Sequence, residues 1–81
     1  MKHRYRMKEV LEMAPMDQCT LPMKSPQRAW WRYGWAHGFL GSNIQDVVAP
    51  VTCKSYRDAV QMGYLKGKLH RFELDAGDVG A

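Results

Sequence analysis

Residues 28–41 read RAWWRYGWAHGFLG, three tryptophans, a tyrosine and three glycines in fourteen positions without one acidic side chain. At helical spacing Trp31, Trp35 and Phe39 fall at i, i+4 and i+8, and Trp30, Gly34, His37 and Gly41 form the adjoining stripe. Together they make one broad apolar face. Upstream, Ser25 is a capping residue and Pro26 suits a first helical turn, where its missing N–H leaves no bond unmade. Downstream, Gly41, Ser42 and Asn43 supply the stop. The stretch predicts a helix over 26–40.

Its central word, GWAHG at 34–38, is echoed by GYLKG at 63–67: glycine, aromatic, two variable residues, glycine. Glycines four apart share one helix face, where the missing side chains let another helix come close. Each interior glycine costs about 1 kcal/mol relative to alanine. Gly34, Gly38, Gly63 and Gly67 therefore need a compensating contact, and the expected one is between the two words themselves, with a partner molecule as the alternative.

The second word lies in KSYRDAVQMGYLKGKLHRF, 54–72, which predicts a helix over 55–71 opening at Ser55 with Asp58 three residues on, a variant of the capping box. Tyr56, Ala59, Val60, Gly63, Tyr64, Gly67 and Leu69 form its inward stripe and Arg57, Lys66 and Lys68 its outward one. Near the start, Met7, Val10, Leu11 and Ala14 keep helical spacing over 5–14 until Pro15 ends the pattern. Between the main helices, Ile44, Val47 and Val48 fit either one helical turn or a short extended piece before Pro50. The expected fold is all-α, a small bundle of about three short helices with the last two packed through glycine. Residues 1–24 are a basic arm with a short helix and a proline-containing loop, 25–72 the helical core, and 73–81 a disordered acidic tail.

Residues 1–71 hold all twelve Lys and Arg and only five of the eight acids, a net charge of +7 that favours an anionic partner. Phosphate or other anionic contacts are expected from Arg28, Arg32, Arg57, Lys66, Lys68 and Arg71, and base stacking or interface hot spots from Trp30 and Tyr33 at the flanks of the apolar face. Catalysis is not expected, because His3, His37 and His70 are scattered and no nucleophile stands in a recognisable motif. Cys19 and Cys53 have no paired neighbour, so neither a metal site nor a cofactor is expected, and free thiols in a reducing cytoplasm are favoured over a single bridge. No apolar run is long enough to span a membrane, and no small-molecule substrate is indicated.

From Arg32 to Gly67 the order of YGWAHGFLGS, a connector reaching Cys53, and AVQMGYLKG resembles the ribosome modulation factor family. The departures are Lys54 and Ser55 after the cysteine, a longer connector, Val60 at a position where the family carries tryptophan, and an additional Met1–Lys24. The resemblance implies a two-helix protein that binds the small ribosomal subunit and silences translation. The expected function is thus non-enzymatic binding of ribosomal RNA or nucleoprotein by occupancy. The alternative is a phage or mobile-element inhibitor or adaptor of a host protein complex, suggested by three Trp, four Tyr and six Met in 81 residues.

Overall fold

The computed structural model describes residues 4–79, in which four α-helices and one 3-10 turn are joined by short loops. They are α1 (Met7–Met13), a 3-10 turn (Met16–Gln18), α2 (Gln27–Leu40), α3 (Ile44–Val48) and α4 (Lys54–Val79). None is long and apolar enough to cross a membrane. The expected all-α bundle is present, with α3 as an added turn.

Local chemistry sets the helix ends. Ala14 leaves the helical region at φ −55°, ψ 125° because the Pro15 ring crowds the residue before it. The Gln27 N–H donates to Ser25 Oγ at 3.1 Å, which opens α2. At its other end Gly41 adopts φ 80°, ψ 21°, and the Gly41 and Ser42 N–H groups donate to Gly38 and His37 carbonyls at 3.2 and 3.0 Å. That is a Schellman motif, and the left-handed residue it needs is the glycine. Asn43 Oδ1 accepts the Gln45 N–H at 2.9 Å, which settles the open connector as helix α3. The start of α4 differs from expectation: Cys53, not Ser55, is the last non-helical residue, its carbonyl accepting the Arg57 N–H at 2.9 Å. Ser55 lies inside the first turn and Asp58 one turn on from Lys54, which it faces at 3.9 Å instead of closing a capping box.

The two glycine words pack directly against each other. A Cβ added to Gly34 would stand 2.0 Å from the Val60 carbonyl oxygen, and one on Gly38 would stand 2.0 Å from that of Tyr64. Reciprocally, a Cβ on Gly63 would stand 2.0 Å from the Trp31 oxygen and one on Gly67 1.9 Å from that of Trp35. Each glycine therefore meets the carbonyl three residues before its counterpart, so the echo in sequence is an approximate two-fold in space. Because 34 pairs with 60 and 38 with 64, α2 and α4 run parallel. The connection over 41–53 has to carry the chain back along α2, about 21 Å, and thirteen residues suffice with a turn of helix to spare.

The aromatics of the two words repeat this symmetry. Trp35 Nε1–H donates to His70 Nδ1 at 2.9 Å, and Tyr64 Oη–H donates to the Ser42 carbonyl at 2.5 Å, the first reaching across to the body of α4 and the second to the residue after the Gly41 cap of α2. The main core gathers Val10, Cys19, Trp31, Trp35, Ala36, Phe39 and Ala59 around them, and Val47, Val51 and Val60 form a smaller cluster under α3. Cys19 is buried, Cys53 exposed, and both are free.

Two further expectations are corrected. The inward stripe of α4 does not include Leu69, which lies about 200° round the helix from Gly67; His70 takes the inward position and Leu69 is exposed. The acidic tail expected from residue 73 continues α4 as far as Val79, helped by Arg71 Nε donating to Asp75 at 3.2 Å one turn on. Residues 80–81 of that tail, with Lys2 and His3 of the basic arm, lie outside the described residues.

Candidate functional site

The residues expected to meet a partner divide into two groups. Arg28 donates to the Leu21 and Met16 carbonyls, both at 2.9 Å, and Arg32 donates to the Leu11 carbonyl at 2.6 Å. These guanidiniums fasten the N-terminal segment along α2: Arg32 satisfies the Leu11 carbonyl, whose helical donor Pro15 lacks, and Arg28 bridges the Leu21 carbonyl and that of Met16, which also accepts the Cys19 N–H. Arg71 lies over the rings of Tyr5 and Phe39 at 5.0 and 5.2 Å, and its Nη1 points to the Phe39 carbonyl at 3.4 Å. Half of the expected anion contacts are therefore internal. Arg57, Lys66 and Lys68 are exposed on α4.

Trp30 and Tyr33 are likewise absorbed. Trp30 stacks on Tyr56 with ring centroids 5.6 Å apart and meets the edge of Tyr33, and all three pack on the valine cluster that seats α3. Tyr33 in turn meets the edge of His37 at 4.5 Å. Half-buried His37 bonds Ser42 Oγ through Nδ1 at 2.9 Å, and burial holds its pKa below the ordinary 6.5. Through that bond it ties the end of α2 to the residue after the Gly41 cap.

What the fold leaves uncovered is the side of α4 opposite its glycines. Gly63 and Gly67 point α4 at α2, and at 100° per residue Met62, Leu65, Leu69, Phe72 and Ala76 fall within one stripe on the far side. Leu65 is 67% exposed and Phe72 70%, with Met62 and Leu69 both more than two-fifths exposed. Their intervals of three and four residues are those of a heptad seam. Lys66 and Glu73 border one edge, Lys68 and Asp75 the other, so the seam is basic in its first half and acidic in its second. Beside it, a shallow groove lined by Gln18, Thr20, Trp31, Met62, Leu65 and Lys66 extends the apolar surface toward the 3-10 turn.

The signal for this stripe is present in the sequence: 62, 65, 69, 72 and 76 carry it unbroken. It is hidden by the glycine face, because a helix apolar on both sides yields no single amphipathic direction. Among the described residues no group of three or more His, Cys, Asp or Glu is placed to hold a metal ion. The chain matches no family model, and neither the curated proteins nor the solved structures contain a significant match.

Proposed function

We propose that this chain is a non-enzymatic binding module that acts by occupancy, presenting the outer face of α4 to another protein. The observation that carries this is the exposed Met62, Leu65, Leu69 and Phe72 seam on the far side of a helix whose near side is already packed to backbone contact. Apolar side chains in a row, edged by charge, are the composition of a protein interface and not of a phosphate channel. Leu65→Glu with Phe72→Glu removes the surface while touching no core residue. Capture of a protein partner on immobilised chain is expected to survive nuclease and raised salt and to be lost in this double variant. Capture that is unchanged in the double variant contradicts the proposal.

A second reading, association with ribosomal RNA or nucleoprotein, is favoured by one observation: Lys24, Arg57, Lys66 and Lys68 are all exposed on a basic chain. Binding of this kind weakens with salt in proportion to the phosphates neutralised, so Lys66→Ala should flatten the dependence by about one counterion. An unchanged slope removes Lys66 from any phosphate contact.

A further inference from the structure

The outer seam of α4 is complementary to itself, and we propose that its occupant is a second copy of this chain, lying antiparallel. The inference rests on the reading of this face as a protein-docking surface and names what docks there. Along the helix, Lys66 and Lys68 precede the midpoint between Leu69 and Phe72, and Glu73 and Asp75 follow it. A two-fold axis through that midpoint sets Leu69 against Phe72 of the second copy and Leu65 against its Ala76, which are the a-to-d′ layers of an antiparallel coiled coil.

The same axis brings the basic half of one seam over the acidic half of the other. Lys66 meets Glu73 of the second copy on one edge and Lys68 meets Asp75 on the other, each twice by symmetry. Lys66 and Glu73 have no ion-pair partner within the chain among the described residues; Asp75 already faces Arg71 and would be shared. Steric room is available because the glycine contacts hold α2 on the opposite side of α4 and leave Leu65, Leu69 and Phe72 exposed. An interface of two short seams belongs with weak, concentration-dependent pairs.

Sedimentation of the full chain over about a hundredfold range of concentration, reaching several hundred micromolar, is expected to show a reversible monomer–dimer equilibrium. Leu65→Glu and Phe72→Glu should each weaken it by about tenfold or more, with the monomer's circular dichroism unchanged. The charge variants Lys66→Glu with Lys68→Glu, and Glu73→Lys with Asp75→Lys, should each be monomeric alone and pair when mixed. Orientation is read by disulfide formation in a Cys53→Ser background: Leu65→Cys on one copy is expected to link to Ala76→Cys on another, and Ala76→Cys not to link to itself.

A monomer mass at every concentration overturns the proposal, as does a dimer indifferent to Phe72→Glu or one linked 76 to 76. A monomer that still captures another protein through Leu65 and Phe72 would sink self-pairing and leave the docking surface standing. A monomer that captures none would sink both.

Discussion

Gly38 and Gly63 sit where a methyl group has no space, since the atoms facing them are backbone and cannot swing aside. Alanine is the better helix former by about 1 kcal/mol, so propensity and packing make opposite predictions here. Packing wins: Gly38→Ala and Gly63→Ala are each expected to lower stability by about 1–3 kcal/mol in chemical denaturation, through forced separation of α2 and α4. Gly77 is the internal control, with nothing within 4 Å of an added Cβ, and Gly77→Ala should be neutral or stabilising. Equal effects at 38 and 77 would deny the close contact. At His37, burial places the folded pKa below the unfolded 6.5. The unfolded chain then takes up the proton first as pH falls, so the contribution is full above about pH 6.5 and is lost below it. His37→Gln should flatten the decline of stability on acidification, and the ring's own titration should fall below 6.5 by NMR. The exposed Cys53 thiol is held below its ordinary pKa by the Ser55 hydroxyl and then by backbone N–H groups at the start of α4, while Cys19 is buried. One thiol of the native chain should alkylate readily, more slowly in Ser55→Ala, and the second only on unfolding.

At the scale of elements, the arginines of α2 change meaning between sequence and structure. A basic residue beside tryptophans is equally a phosphate contact or a clamp for stray carbonyls, and only the path of residues 14–24 decides. Here Pro15 leaves the Leu11 carbonyl without its helical donor and Arg32 meets it, while Arg28 ties the Met16 and Leu21 carbonyls of the following loop to α2. Arg32→Ala is expected to cost about 1–3 kcal/mol, the range for a buried charged hydrogen bond left unmade, discounted because Arg32 is only half-buried. In hydrogen exchange the loss should appear as lowered protection in α1, with the centres of α2 and α4 retained. Uniform loss across all three would show that the N-terminal segment is not a separable layer. The helices themselves were legible, since periodicity, Ser25, Pro26 and Gly41 locate α2 within a residue. The reach of α4 was not, because residues 73–77 bury little and their helix is a continuation, with the Arg71–Asp75 pair as local support.

For the whole molecule, the sequence announces that two glycine words exist and that they pack; it is silent on direction. Parallel and antiparallel pairs use the same glycines, and connectors of thirteen residues permit both. Direction nevertheless decides what is left over. In the observed register the carbonyls of Trp31 and Trp35 rest on Gly63 and Gly67, His70 turns in to Trp35, and Leu65, Leu69 and Phe72 are left exposed. The exposed seam is thus a consequence of the glycine contacts, although it contains no glycine. The sequence hides it because α4 is apolar on both sides, so that Leu69 reads as part of the glycine face. The most direct measurement is a nuclear Overhauser spectrum at a dilution that keeps the chain monomeric, read at the glycine Hα protons. Contacts are expected from Gly34 to Val60, Gly38 to Tyr64, Gly63 to Trp31 and Gly67 to Trp35. Contacts that instead join Gly34 to the neighbourhood of Gly67, and Gly38 to that of Gly63, would make the pair antiparallel and put a different face of α4 outside.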